Sequence, residues 1–389
     1  MNANSLSQNY PVVPLGDHAK IESGYAFRSA DWCESGIPVV KITSISGGRL
    51  SRDGLGFVDT DTARKAQRFN LKHGDVLVAM TGASLGSMAL VQRDDVPLLL
   101  NQRVGRIVAT SKHVDDHYLY FVLSSGVGSE QLINLGHGSA QPNLSSGDFG
   151  RIQIPLPSLV EQRAIAGVLG ALDDKIESNR RQQSTLLGIC HAAFDVALMN
   201  GADVMKVEDM VRFRNNERKP LSAMERAGME RRYPYYGATG VFDYVEAFLF
   251  DDVNILIGED GSVVNDDGTP VAQMAWGKYW VNNHAHVLSG KAVSTELAYI
   301  ALARSDVRPL ITGAVQLKIN MGNLRSLEVE LPSVEVRGDV DHEIQENLAL
   351  WRAKSDESKM LVGLRDALLP ELLSGRLRVK DAESMMENV

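Results

Sequence analysis

Apolar positions in this chain keep two different periods, and the segments in which each period holds alternate. In the first segment, short runs such as "IPVVKITSI", "GDVLVAM", "PLLLNQRVGRIV" and "RIQIPLP" are rich in β-branched residues and bounded by Gly, Pro or Asp. They predict short strands, and "HYLYFVLSS" between them spaces its apolar residues as a short helix does. From Val160 to about Met199 the spacing changes to threes and fours. Ile165, Leu169, Leu172 and Ile176 are followed by polar Asn179 and Gln183, and then by Leu186, Cys190 and Ala193. That is a heptad seam with a polar middle. It predicts a helix of about 40 residues, roughly 60 Å long. Ser158 is placed as its N-cap, with Glu161 three residues on completing a capping box. The strand texture then returns in "NILIGE", "YWVNNHAHVL" and "LEVELP", with "TELAYIALARS" as a short helix. A second seam follows from Val340 to Leu373. Its apolar ends are Ile344, Leu348 and Trp351, then Leu361, Leu364, Leu368 and Leu372, and polar Ser355 and Ser358 lie between them.

A lone amphipathic helix of this length is unstable in water unless its stripe is covered. The two seams match in length and pattern, so they most simply cover each other; the alternative is that each packs on its own domain. A self-comparison supports two related halves. "GSAQPNLSSGDFGRIQIPLPS" (138–158) aligns without a gap on "GAVQLKINMGNLRSLEVELPS" (313–333). "DVLVAMTG" (75–82) matches "NILIGEDG" (254–261), "YFVLSS" (120–125) matches "YIALAR" (299–304), and "NQRVGRIV" (101–108) matches "NNHAHVLS" (282–289) more loosely. The expected fold is α+β: two similar mixed α/β domains separated by two long helices that form an antiparallel coiled coil. The expected boundaries are 1–157 for the first domain with its N-terminal arm, 158–200 for the first helix, 201–332 for the second domain, 333–380 for the second helix and 381–389 for a tail.

Composition narrows the class. The hydrophobic fraction is 44% and the charged fraction 23%, as in globular proteins, and no apolar run approaches a membrane span. "MNANSLSQNYP" lacks the basic start and apolar centre of a signal peptide. Two widely separated cysteines form neither a disulfide framework nor a metal pattern, so a cytoplasmic location is expected. The net charge of −9 argues by itself against nucleic acid, but Lys+Arg and Asp+Glu balance at 14 each within residues 1–157, and the acid is concentrated later. No Asn-Pro-Pro-aromatic adenine-methyltransferase motif and no phosphate loop occurs. His284 and His286, two apart, face the same way if both lie on a strand, where ordinary polar packing competes with a metal and is the favoured reading.

The order of domain, long helix, domain, long helix, together with "LPSLVEQRAIAGVLGALDDKIESNRRQ" (156–182), "YPYYGATGVFDYV" (233–245), "NILIGEDG" and "LRDALLPELLSGRLRV" (364–379), resembles the specificity (S) subunit of type I restriction-modification systems. The likeness covers roughly residues 15–380. One departure is "LPSVEVRGDVDHEI", which lacks the Glu-Gln-Arg of the first helix start and carries Gly338. The resemblance implies two target-recognition domains, each reading one half of a bipartite asymmetric site in double-stranded DNA. It implies helices that set the spacing of the halves and dock two methyltransferase (M) subunits, with two restriction/translocase (R) subunits in some complexes. It also implies that this chain is non-catalytic and holds no cofactor or metal. S-adenosylmethionine for adenine N6-methylation, and ATP and Mg for DNA translocation and cleavage, then belong to the partner subunits. A stand-alone two-domain DNA-binding regulator is the alternative, and an enzyme with an unrecognised site is a third possibility.

Base-edge and phosphate readers need short polar side chains, flat rings, cations and close backbone amides. In the first domain these are Lys41, Thr43 and Ser44, then Arg64, Lys65 and Arg68, then Thr81 and Ser84, Asn101 and Arg103, and Gln141 and Asn143. In the second they are Arg231, Arg232, Tyr235, Tyr236, Gly237 and Thr239, then Asn283 and His284, and Gln316 and Lys318. "YPYYGATG" is expected to be a loop between strands, punctuated by Pro234, Gly237 and Gly240. An ordinary solvated surface is the alternative for each polar position, and burial in the core is the alternative for Tyr233 and Tyr235.

Overall fold

The computed structural model describes residues 9–136, 143–313 and 317–386. The chain forms two compact units. The first combines residues up to Ile176 with those from Lys359 onward, and the second is Glu177–Ser358. Two helices of 41 residues, Leu159–Met199 and Val334–Ser374, each give one part to each unit.

In the first unit, Val12–Pro14 pairs antiparallel with Gln153–Pro155, the strand that leads into the first long helix. An antiparallel sheet runs in the order Ala19–Ser23, Val104–Ala109, Val76–Ala79, Met88–Leu90. All four residues of Val76–Ala79 are buried, which explains its unbroken apolar run. A second sheet runs Leu99–Leu100, Ile37–Val40, Gly56–Val58, Trp32–Cys33, and its first pair is parallel. The second unit repeats the plan. Ala202–Lys206 pairs with Glu328–Pro332, ahead of the second long helix. One sheet runs Val211–Phe213, Ala285–Gly290, Asn254–Gly258, Ala272–Ala275, and the other Val241–Val245, Tyr233–Tyr236, Lys278–Val281, Phe250–Asp251. The pair Tyr233–Tyr236 with Lys278–Val281 is parallel, like its counterpart.

The seams of the long helices are covered from two sides. In the first unit Ile165, Leu169, Leu172 and Ile176 share one core with Leu361, Leu368 and Leu372, with Tyr118 and Leu119 of the short helix Asp116–Ser124, with Phe149 of the helix Ser146–Gly150, and with Val78 and Ile107 of the antiparallel sheet. In the second, Cys190 and Phe194 join Val340, Ile344 and Leu348, and with them Ile255, Leu288, Leu297 and Ile300. The helices pair antiparallel and also close the domain cores, so the two modes of covering that the sequence left open occur together. Polar contacts fix the pairing within each unit. Arg365 Nη1 donates to Asp173 Oδ1 at 2.8 Å in the first, and Gln183 Nε2 donates to the Trp351 carbonyl at 3.3 Å in the second.

The helix starts show what the Glu-Gln-Arg signal does. The Ser158 hydroxyl accepts from Glu161 N at 3.3 Å. Gln162 is fully buried. Its Oε1 accepts from Asp115 N at 3.0 Å, and its Nε2 donates to the His113 and Pro157 carbonyls, each at 2.9 Å. In the second copy Arg337 takes this place: its Nε donates to the Pro332 carbonyl at 2.8 Å and its Nη2 to Asp203 Oδ2 at 2.6 Å. Asp203 also accepts from Val334 N at 3.1 Å, capping the positive end of the helix with a carboxylate. Gly338 continues the helix without a break. The second helix stops at Ser374, earlier than the expected 380, because Gly375 takes a left-handed φ of 73°. A further helix, Val379–Met386, follows.

Among the described residues no helix is long and apolar enough to cross a membrane, and no His, Cys, Asp and Glu cluster could hold a metal ion. Gln162→Leu removes the partners of one buried amide and two carbonyls. It is expected to destabilise the first unit by roughly 2–4 kcal/mol. Urea unfolding should show this, with faster hydrogen exchange at the Asp115 amide.

Candidate nucleic-acid interface

The two units build the same set of turns at the carboxyl ends of matching strands. Val40 sits beside Leu100, and Tyr236 beside Val281, in the two parallel pairs. The next residue on the partner strand is asparagine in both. Asn101 N donates to the Val40 carbonyl at 3.3 Å, and Asn282 N to the Tyr236 carbonyl at 3.1 Å. Each side chain then bends the chain back on itself: Asn101 Oδ1 accepts from Arg103 N at 3.0 Å, and Asn282 Oδ1 accepts from His284 N at 2.8 Å. These are Asx turns, and both asparagines are buried. A second turn docks on the first. Met80 N donates to the Arg103 carbonyl at 3.1 Å, and Glu259 N to the His284 carbonyl at 2.8 Å. A third segment docks on the second. Leu144 N donates to the Met80 carbonyl at 2.9 Å, and Ile319 N to the Glu259 carbonyl at 3.0 Å. Thr81 bridges Asn143 as Asp260 bridges Lys318.

The backbone is therefore repeated almost bond for bond, while the outward side chains differ. The first cluster presents Thr81, Arg103 and Asn143, with Lys41 at the end of its strand. The second presents Asp260, His284 and Lys318, with Gly237 in the place of Lys41. Glu259 beneath it is neutralised from within. Arg218 Nη1 donates to Glu259 Oε2 at 2.8 Å and to the Ala285 carbonyl at 2.6 Å, and Lys318 Nζ lies 3.4 Å from Glu259 Oε1. Burial would push the Glu259 carboxyl up. The Arg218 hydrogen bond and the surrounding cations outweigh it and hold the group below its ordinary value. His284 Nδ1 meets Asp260 Oδ1 at 2.6 Å.

His284 and His286 do not face the same way. His284 lies in the turn and is exposed, whereas His286 is on the strand Ala285–Gly290 and is fully buried. His286 Nε2 donates to the Ile319 carbonyl at 2.8 Å, which leaves Nδ1 to accept from Asn215 Nδ2 at 2.8 Å. Burial lowers its pKa, so the neutral tautomer is built into the site.

Other expected contact residues fall elsewhere. "YPYY" is a strand inside its sheet, because Pro234 occupies a position where extended backbone suits its fixed φ. Tyr235 is buried, and its hydroxyl accepts from Leu221 N at 2.9 Å. Tyr236 is half-buried, edge-on to Tyr279. Arg231 and Arg232 precede that strand at the end opposite Gly237; Arg231 Nη1 donates to Asp243 at 2.9 Å, and Arg232 lies over the Tyr233 ring. Ser44 is buried and donates to the Gly54 carbonyl at 2.8 Å, while exposed Thr43 donates to the same oxygen at 3.1 Å. Asn101 is occupied as a turn lock. Arg64 pairs with Asp61 on the short helix Thr60–Lys65, and Arg68 lies over Phe69. Asn283, Thr239 and Thr43 are exposed, and Ser84 is half-exposed on the turn after Thr81. Gln141 and Gln316 lie outside the described residues. Asn282 and Arg218 carry the second cluster and were not singled out from the sequence. The alignment of "NQR" on "NNH" signalled the first; the second meets its partners only through the fold.

The unfolded imidazole titrates near 6.5, and burial holds His286 below that. The unfolded state thus binds the proton first, so stability falls as pH drops below about 6.5. His286→Asn should shallow this slope between about pH 6.5 and 5 in urea midpoints. His191, also lowered by burial and by Arg304, keeps a residual slope, and Glu259 adds its own loss only below about 4.5.

The type I restriction modification DNA specificity domain matches this chain twice, over residues 8–187 and 199–349. The type I restriction enzyme MjaVIII specificity subunit of Methanocaldococcus jannaschii is 30% identical over 184 residues, 46% of this chain and 43% of that protein. In that match the chain spans less than half of the relative's length. The MjaIX specificity subunit of the same organism is 21% identical over 361 residues, 83% of this chain and 82% of the relative. The crystal structure of a type-I restriction-modification system S subunit from M. genitalium superposes with a TM-score of 0.59 at 17% identity, covering 94% of this chain and 97% of that one, and shares its fold. With both halves matched by the same domain model, the chain belongs to the type I restriction modification DNA specificity family.

Proposed function

We propose that this chain is the DNA sequence-recognition subunit of a type I restriction-modification complex, with each unit reading one half of a bipartite asymmetric site. The observation that carries this reading is the repeated set of strand-end turns. One hydrogen-bonded backbone is built twice and dressed with unlike side chains, as two unlike half-sites require. The reading surface is Lys41, Thr81, Arg103 and Asn143 in the first unit, and His284, Asn283, Thr239 and Lys318 in the second. Cations there meet phosphates, and the short polar groups meet base edges. Net charge of −9 is compatible with DNA binding when partner subunits share the neutralisation of phosphates.

The long helices then space the half-sites and dock two methyltransferase subunits. Exposed apolar residues along the helices support docking: Val160 and Met360 in the first unit, and Ile189, Val196 and Val334 in the second. In the second unit a groove between the helices is lined by Ile189, Ala193, Val196, Val336 and Val340, a surface suited to a further helix. The chain itself performs no chemistry in this scheme. S-adenosylmethionine is used by the methyltransferase subunits, and ATP and Mg by restriction subunits where these are present.

Exchange of residues 201–332 for the matching segment of a relative should change one half of the methylated motif and leave the other unchanged. Mapping of methylated bases in cells that express the complex reads this, and a change in both halves rules out independent reading. Insertion of four residues beside Asn179, matched by four near Ser358 in the second helix, adds roughly 6 Å of helix and nearly one turn. The unspecified gap should lengthen by one or two base pairs at about 3.4 Å each, with both half-sites unchanged.

A further inference from the structure

The strand Val241–Val245 lies at the edge of its sheet and carries a bulge. Tyr235 pairs with Asp243 and Tyr236 with Val241, so Phe242 is the extra residue with no partner across the ladder. A bulge re-aims the side chain of its extra residue. Phe242 is 55% exposed. Three neighbours hold it. The Arg226 guanidinium lies over one face at 4.9 Å from the ring centroid, and the Tyr235 ring meets it edge-on at 5.1 Å. The third is Gly237, where an added Cβ would stand 3.2 Å from Phe242 Cδ1. Arg226 is itself fixed, donating to Asp243 Oδ2 and to the Leu221 carbonyl, so it keeps the ring in place instead of reaching outward. Gly237 begins the turn that abuts Asn282, and Phe242 therefore stands at the rim of the second strand-end cluster.

We infer that Phe242 is a specificity-determining contact of the second unit, one that reads the C5-methyl group of a thymine in the major groove. The inference rests on the reading of that unit as a DNA-binding domain. An aromatic ring can contact DNA as a wedge between base pairs or as an apolar partner for a thymine methyl. A wedge needs both faces free, and Arg226 covers one face of Phe242. The exposed remainder, continued by half-exposed Val241, is an apolar knob that a methyl group fits. The corresponding strand of the first unit, Gly56–Val58, pairs with Ile37–Val40 without a bulge.

The test uses the chain assembled with its methyltransferase subunits and duplexes that carry the methylated motif. Each thymine of the half-site read by the second unit is replaced singly by deoxyuridine. At one position the wild-type complex should lose affinity roughly fourfold, the change expected for one buried methyl group. Phe242→Ser should erase the sensitivity to deoxyuridine at that position while keeping its discrimination of the first half-site. Phe242→Leu, which keeps an apolar contact and the fold, should retain most of it. A wild-type complex equally tolerant of deoxyuridine everywhere overturns the inference, and so does a Phe242→Ser complex with the wild-type profile. Should Phe242→Ser not fold, the same profile in Phe242→Asn decides in its place. A wild-type complex indifferent to the whole second half-site overturns the DNA-reading assignment of the unit together with the inference, and is thereby distinguished from a failure of Phe242 alone.

Discussion

A helix of 41 residues with an apolar stripe along it cannot stand in water by itself, and each unit is arranged around that fact. Each unit brings together antiparallel segments of both helices and lays a sheet layer against them. Ile165 and Leu169 are thus core residues of the first unit as much as seam residues of a helix pair, and Ile344 and Leu348 have the same double place in the second. The helix segment and the domain beside it then fold as one cooperative body. The strands Val76–Ala79 and Asn254–Gly258, which lead into the Met80 and Glu259 turns, pack against that body through Val78 and Ile257.

Within this frame the polar contacts divide into two kinds. Some fix the backbone at set places: Gln162 and Arg337 at the helix starts, and Asn101 and Asn282 at the turns. Others manage charge. Arg218 neutralises Glu259 beneath the second cluster, and Glu296 pairs with Arg352 of the second helix at 2.7 Å. An acidic chain can in this way keep Glu259 beside these turns without presenting it as bare negative charge.

Much of the architecture was legible because it rests on periodicity. Heptad spacing at Ile165 to Ala193 and Ile344 to Leu372 carried both helices, and the ungapped repeat ending in Leu-Pro-Ser carried the two domains. "YPYYGATG" misled because Pro and Gly usually signal turns, yet Pro234 aligns structurally with Pro38 of "IPVV", which reads plainly as a strand. Local composition outweighed the repeat at the place where the repeat held the answer. Asn101 drew notice as a base reader, although its buried side chain is spent on the turn. Arg218 was invisible, because Glu259, Asn283 and Ala285 lie 41 to 67 residues away and only the fold gathers them. At Phe242 a one-residue bulge, which leaves no mark on hydrophobic alternation, decides where the ring points.

The two buried asparagines also bear on how such a protein can diverge. Their hydrogen bonds, and those of the turns that dock on them, run mainly to backbone atoms, so the geometry of the cluster depends little on the identity of the residues that face outward. Substitutions at exposed positions away from buried contacts usually shift stability by no more than about 0.5 kcal/mol. Lineages can therefore drift through many combinations at Arg103, Asn143, His284 or Asn283 without passing through unfolded intermediates. The outward-facing residues can then vary on an unchanged scaffold, whereas replacing either asparagine would disturb the turns themselves.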